Sequence, residues 1–359
     1  MRKQGLSRGS GGGGGRRDGL GHGIAGTVFR PATPADPGSG GLGWTVCSRA
    51  LRALRRAGLS LRPEPWLSID TGWRQTNIGF VRFGFHVSIA GGFAKVRERA
   101  EALGCETIQL FTSNPRGWRA AALKPDDVAQ FRRDMKESGI GPVFAHVPYL
   151  PNLAATGGQF LKQSLAAVAD ELRRCDELGI QFLVTHVGKA LGSSEREALK
   201  QVAESVNRVL DAARNRVMLL LENTAGMGSE VGYRFAQIAE TLGMVEDRDR
   251  TGVMLDTAHA FAAGYDWRTK AGADLALREF DATVGMGRLY GLHLNDSRSD
   301  CGSRFDRHWH IGKGRIGREG MRTIINHPLL KHLPAVMETP RTSDREDRMN
   351  MKAARRLEA

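Results

Sequence analysis

The sequence predicts an α/β fold in which eight parallel strands alternate with helices and close into a barrel. Three observations carry this expectation. Short apolar runs, rich in leucine and β-branched residues, recur along residues 82–340 at roughly thirty-residue intervals. Amphipathic stretches of helical period lie between them. Six of the runs end on His, Asp or Glu, and the strand ends of a barrel gather on one rim. A run that is apolar at nearly every position fits a parallel strand buried on both faces, because only such a strand has no solvated side. The architecture that follows is a TIM (β/α)8 barrel over residues 81–359, preceded by an extension over residues 1–80 that is expected to be disordered.

Taken in order, the first strand is expected in "RFGFHVSIA" and is followed by a helix over Ala94–Leu103. The second strand, "TIQLFTSN", leads to a helix over Asp126–Ser138, and the third, "PVFAHVPYLPNLA", to Gln159–Leu178. The fourth, "FLVTHVGKALG", precedes Ser194–Arg214, and the fifth, "VMLLLENTAGMGSEVG", precedes Arg234–Leu242. The sixth, "TGVMLDTAHAFAAGYD", precedes Ala271–Val284; the seventh, "LYGLHLNDSRSD", precedes Arg318–Ile325; and "AVMETP" ends the series. In each case about four to six strand-forming residues come before the polar position at the end of the run.

Composition bounds the rest. The chain has 359 residues, 41% of them hydrophobic, enough for one large core or two modest ones. Residues 1–80 hold 18 of the 45 glycines and carry 12 Lys and Arg against 4 Asp and Glu, leaving 40 against 35 for residues 81–359. A Gly/Arg-rich, aromatic-poor leader buries too little apolar area to offset its ordering entropy; within it, "WTVCSRALRALRRAGLSL" is the one stretch suited to a short basic helix. Of three readings of the leader (a tail that attracts nucleic acid, an organelle-targeting peptide, a coding start placed too far upstream) the third is preferred, because Val81 opens the first strand. Cys47, Cys105, Cys175 and Cys301 are widely spaced with no C-x-x-C pair, which indicates neither a disulfide framework nor a cysteine zinc site. No run approaches the length of a membrane span and there is no secretory apolar region, so the cytosol is the expected compartment.

Nine potential metal ligands sit at or just beyond the strand ends: His146, His186, Glu222, Asp256, His259, His293, Asp306, His308 and Glu338. A lone histidine at a strand end is more often a satisfied structural residue, but nine such residues in register reverse that reading. Imidazole and carboxylate without thiolate suit zinc or manganese in a hydrolytic site. Nine ligands are too many for one ion; with bridging carboxylates they could hold three. Ions about 3.5–4 Å apart suit in-line phosphoryl displacement, and bound water there has its pKa lowered from 15.7 to roughly 7. In "DTAH", Asp256 and His259 lie three apart on the turn leaving a strand and are expected to face neighbouring ions rather than share one. In "DRH", Asp306 and His308 lie on one side of an extended segment, as a chelating pair needs.

The segments "LLLENTAGMGSEVG", "MLDTAHAFAAGYD", "GLHLNDSRSDCGSRFDRHWHIGKGRIG" and "METP" resemble the endonuclease IV family, metal-dependent apurinic/apyrimidinic endonucleases of base-excision repair, from about Phe83 to Pro340. The resemblance implies a trinuclear zinc centre, with Mn2+ an option in one or more sites, that hydrolyses the phosphodiester 5′ to an abasic site in duplex DNA. The products would be a 3′-hydroxyl and a 5′-deoxyribose phosphate. Carried over by position, His146, His186 and Glu222 would hold one ion. Glu222 would bridge to a second, held also by Asp256, His293 and Glu338, and would orient the attacking hydroxide. His259, Asp306 and His308 would hold the third.

The same resemblance implies that Arg116, Tyr149 and Leu150 wedge into the duplex where the abasic nucleotide leaves the stack. Trp118 and Arg119 share the loop of Arg116. Phosphate contacts are expected from Arg307 and Lys313, and Lys189 stands where it could approach phosphate. Two positions depart from the family pattern: Gly117, where a glutamine is frequent, and Val187, where proline is usual. The partner implied is double-stranded DNA with abasic sites, met by a monomer associated with the nucleoid. The competing readings are a sugar isomerase or epimerase on a similar metal-binding barrel, and a DNA-binding module without catalysis. The third ligand set discriminates against the first, and the cost of burying so many carboxylates without metal against the second.

Overall fold

The computed structural model describes residues 80–359. The Gly/Arg-rich extension, its expected disorder and its basic helix fall on residues 1–79 and lie outside the described residues.

Eight parallel strands form a closed barrel: β1 (Arg82–His86), β2 (Thr107–Leu110), β3 (Val143–His146), β4 (Phe182–His186), β5 (Met218–Glu222), β6 (Thr251–Asp256), β7 (Leu289–His293) and β8 (Pro334–Met337). Each pairs with its neighbour in sequence, and β8 closes the ring against β1, Arg82 opposite Pro334. Where β1 meets β2, a Cβ on Gly84 would sit 1.6 Å from the Thr107 carbonyl oxygen, so only glycine permits that approach. The period-two alternation of strands explains the interior. Phe144, Phe182, Val184, Met218, Leu220, Met254 and Val336 fill the barrel with a core of their own, separate from the larger one between strands and helices. Two residues beyond Phe144, Val184, Leu220, Met254 and Val336 come His146, His186, Glu222, Asp256 and Glu338, so apolar side chains floor the barrel and polar ones crown it.

The helices are α1 (Val96–Ala102), α2 (Pro125–Ser138), α3 (Gly158–Leu178), α4 (Glu195–Ala213), α5 (Phe235–Met244), α6 (Thr257–Ala263), α7 (Lys270–Thr283), α8 (Gly317–Asn326) and α9 (Asp344–Leu357). Seven match the sequence expectation within about two residues at either end, the first being preceded by a 3-10 turn over Phe93–Lys95. The unexpected helices are α6 and α9. "TAHAFAA" of α6 is apolar all round apart from His259 and Thr257 and is buried from Thr257 to Ala262, so it carries no helical period. The buried stripe of α9 includes Asp347 and Asn350, which interrupt its apolar pattern. Among the described residues no helix is long and apolar enough to cross a membrane.

Candidate metal centre

Strand register brings the ligands to one level. His186 lies opposite Glu222 and Asp256 opposite His293 in the parallel ladder. Glu338 follows β8 by one residue. His259 comes from the first turn of α6, which begins directly after Asp256; the Asp256 carboxylate caps that helix by accepting from the His259 backbone N–H at 2.7 Å. His308 is held by a short antiparallel pairing of His308–Trp309 with Asp296–Ser297, and Asp306 stands in the loop before it.

Three groups result. Glu222 Oε2 is 3.0 Å from His146 Nε2 and 3.3 Å from His186 Nε2. Its other oxygen is 2.8 Å from His293 Nδ1, which also faces Glu338 Oε2 at 3.5 Å and Asp256 Oδ2 at 3.9 Å. Asp306 Oδ1 is 3.4 Å from both His259 Nε2 and His308 Nε2. Asp256 and His259 come close as well, their donor atoms lying within 4.8 Å of one another and of His308, because α6 folds His259 back over the strand end. Asp256 Oδ2 lies 3.4 Å from His308 Nε2, so this carboxylate borders the second and third groups as Glu222 borders the first and second.

The ring orientations test whether cations fit. His146 Nδ1 donates to the Val147 carbonyl at 2.7 Å, His259 Nδ1 to the Asn223 carbonyl at 2.9 Å, and His308 Nδ1 to the Glu338 carbonyl at 3.1 Å. His293 Nε2 donates to Gln109 Oε1 at 2.8 Å. In each ring the remaining nitrogen turns its lone pair into the cluster, the arrangement of a metal-ligating histidine. His259 Nε2 and His308 Nε2 then face each other at 3.2 Å, two lone pairs that a shared proton or a shared metal cation would reconcile. Nitrogen and oxygen donors without thiolate suit a divalent ion of the zinc or manganese class.

Electrostatics point the same way. Burial alone would raise the Glu222 carboxyl, yet His293 and His186 hold it well below the usual range. Burial likewise opposes the Glu338 and Asp306 charges, but His293 and His86 depress the first and His259 the second. Burial would lower His293, and Glu338 and Glu222 instead push it up to about 9. Buried carboxylates at this density require positive charge among them.

Several residues that hold this arrangement were not singled out from sequence. Gln109, buried on β2, accepts from His293 and donates to Glu338 Oε1 at 2.7 Å, so one amide fixes two ligands. His86, at the end of β1, lies 3.1 Å from the same amide nitrogen; the strand-end rule that found the other ligands would have found it. Asn223 takes the Asp256 N–H and donates to its carbonyl, and Asn295 donates to Asp256 Oδ2. Asp296 is buried and accepts four backbone N–H groups, from Ser297, Gly314, Ile316 and Gly317, which ties the glycine-rich loop of Lys313 to the rim.

The residues expected to meet DNA lie on loops around this rim. Arg116, Arg307 and Lys313 are exposed, and Leu150 is half-buried. Tyr149 is 70% exposed, with its ring 5.4 Å from Phe111, which in turn packs on His86 and His146. Trp118 is half-buried, edge-on to Phe160. Lys189 pairs with Glu230 at 3.5 Å instead of standing free. Phe305, exposed between Arg304 and Asp306, is a rim residue the sequence did not flag. Val187 is fully buried against Gly232, where a Cβ would come within 2.3 Å of it, so the departure there is absorbed by a glycine at φ +84°. At Gly117 a Cβ would meet nothing closer than 3.9 Å, and no packing reason for glycine exists.

A family model described as a xylose isomerase-like TIM barrel matches residues 97–358. A probable endonuclease 4 of Methanoculleus marisnigri is 45% identical over 278 residues, 77% of this chain and 99% of the relative. The crystal structure of endonuclease IV from Thermus thermophilus superposes with a TM-score of 0.70 at 38% identity, covering 77% of this chain and 98% of that one. A D-tagatose 3-epimerase-like protein matches with a TM-score of 0.58 at 16% identity, over 77% of this chain and 97% of the other, a likeness of fold alone.

Proposed function

The chain belongs to the endonuclease IV family of TIM-barrel proteins, and from that premise we propose that it is a DNA-repair hydrolase that cuts the phosphodiester 5′ to an abasic site in duplex DNA. The cut leaves a 3′-hydroxyl and a 5′-deoxyribose phosphate. The observation that carries this reading is the convergence of nine imidazole and carboxylate side chains into three contiguous groups. His146, His186 and Glu222 would hold one ion; Glu222, Asp256, His293 and Glu338 a second; His259, Asp306 and His308 a third. Zinc is the ion proposed, with manganese an option. Bound there, such ions supply Lewis-acid stabilisation of phosphate oxygens and a water acidic enough to be hydroxide near neutral pH.

The chain's own residues do the rest. Glu222, ionised and buried, reaches two groups at once and so aligns the nucleophile with the phosphorus. The side chains of His186 and Asp306 are 48% and 39% exposed whereas Glu222, Asp256 and His293 are sealed, so the phosphate enters over the first and third groups. Arg307 lies beside that entrance, and Lys313 rides the loop that Asp296 ties down; both meet the backbone, which positions without reading sequence. Arg116, Tyr149 and Leu150 fill the space that an abasic nucleotide vacates. Such a nucleotide is cheap to extrude because no base is unstacked, and this cost difference is itself a source of selectivity.

A duplex with one tetrahydrofuran abasic analogue, incubated with and without a zinc-stripping chelator, tests the reading. Cleavage 5′ to the analogue, lost on chelation and lost in Glu222→Gln, is expected; 3′ products of a lyase would reject it. The sugar-epimerase alternative has only the shared barrel in its favour, and the His259, Asp306 and His308 group is surplus to a site of one or two ions.

A further inference from the structure

The long loop at 111–124, between β2 and α2, carries Arg116 and has no regular structure of its own. Loops of this length need something to hold them. Two charged side chains of α3, Glu171 and Arg174, are buried beneath it at 3% and 7% exposure. Glu171 accepts from the Thr112 hydroxyl at 2.5 Å and from the Ser113 hydroxyl at 2.7 Å. Arg174 donates from Nε to that same Thr112 hydroxyl at 2.9 Å, from Nη2 to the Thr112 carbonyl at 2.6 Å, and from Nη1 to the Ala121 carbonyl at 2.8 Å. One guanidinium therefore grips both ends of the loop, and one hydroxyl joins it to the carboxylate. Between the grips, the Tyr149 N–H donates to the Pro115 carbonyl at 3.3 Å, which joins the loops of Arg116 and Tyr149. None of these buried groups reaches the metal centre or the solvent face.

We infer that the clasp of Glu171, Thr112 and Arg174 sets the affinity for abasic DNA without touching it, by fixing the Arg116 loop in its binding shape before the duplex arrives. The inference rests on the abasic-site reading above. Its physical basis is preorganisation: the ordering entropy of the loop is met on folding, not on binding. Burying a carboxylate and a guanidinium is costly, and here every hydrogen bond they make goes to the loop, so the pair specifies a conformation rather than adding stability.

The test compares Thr112→Val, close in shape but lacking the hydroxyl, with Thr112→Ser, which keeps it. In the full chain, Thr112→Val is expected to raise KM on the tetrahydrofuran duplex about tenfold, the effect of a lost buried hydrogen bond, with kcat unchanged; Thr112→Ser restores KM. Trypsin is expected to cut Thr112→Val after Arg116 and Arg119 while sparing those two bonds in the parent protein. Adding Arg116→Ala to Thr112→Val should cost less than the product of the two single losses, because both act through one loop. An unchanged trypsin pattern, a fall in kcat at constant KM, or strictly multiplicative losses would each overturn the clasp. A parent protein that leaves the analogue duplex intact overturns the functional reading instead, and the trypsin pattern still reports on the loop.

Discussion

Glu222 is ringed by imidazoles: nitrogens of His146, His186, His259 and His293 lie 3.0, 3.3, 3.4 and 2.8 Å from its two oxygens. An amide at that position would present N–H where positive charge belongs. Glu222→Gln is therefore expected to lower both bound metal, read by elemental analysis, and cleavage, by on the order of a hundredfold or more. Gln109 is a subtler case. Its amide holds the His293 proton on Nε2 and so leaves Nδ1 for the cluster, while it steadies Glu338. Gln109→Ala should weaken metal binding about 10- to 100-fold in chelator competition, with the fold intact by circular dichroism. Seven of the nine candidate ligands were legible because each lies at, or just past, the end of an apolar run; Asp306 and His308, well beyond β7, were picked out by the spacing of "DRH" and by the family resemblance. Gln109 was not: within "TIQLF" it reads as one polar interruption of a strand, and only the closed barrel reveals that it points at His293. The meeting of Asp256 with His308 was also invisible, since it depends on the path of the chain through Asp296–Trp309.

At the scale of elements, the alternation of strand and helix was readable wherever one face differed from the other. It failed where this contrast vanished, in α6, buried on all sides but at its last residue, and in α9 with its buried Asp347 and Asn350. The loops were less legible than either, because their shape is set by single side chains reaching across from other elements. Asp296 is such a side chain. Replacing it with Asn removes acceptor capacity facing four backbone N–H groups and should cost about 1–3 kcal/mol, seen as a lower unfolding midpoint. Because Lys313 rides on the same loop, Asp296→Asn should also weaken DNA binding in a fluorescence-anisotropy titration.

For the whole molecule, charge sets the behaviour. The barrel carries a small positive excess, and Arg307 on its rim is exposed and has no side-chain partner among the described residues. Arg307→Ala should reduce the slope of log binding constant against log salt by roughly one unit, whatever the sequence of the duplex. Protons and metals compete for the same cluster. His186, His259 and His293 are raised above their ordinary value, their burial outweighed by Glu222, Asp256 and Glu338. In chelated protein the stability they contribute is full below about pH 6.5 and is lost as pH rises through the raised values, about 9 for His293. Loaded protein needs those rings neutral and gains nothing from their protons. The gap in melting temperature between loaded and chelated protein should therefore widen from pH 6 to pH 9; a constant gap would contradict the assignment of these rings as ligands.

The ring is sealed where β8 lies against β1, and Glu338 sits at that seam. A chain emerging from the ribosome offers His146, His186 and Glu222 long before Glu338 has been synthesised. On the proposed assignment the second group is complete only once translation has passed the last strand, so a message truncated ahead of β8 is expected to yield a product without cleavage activity.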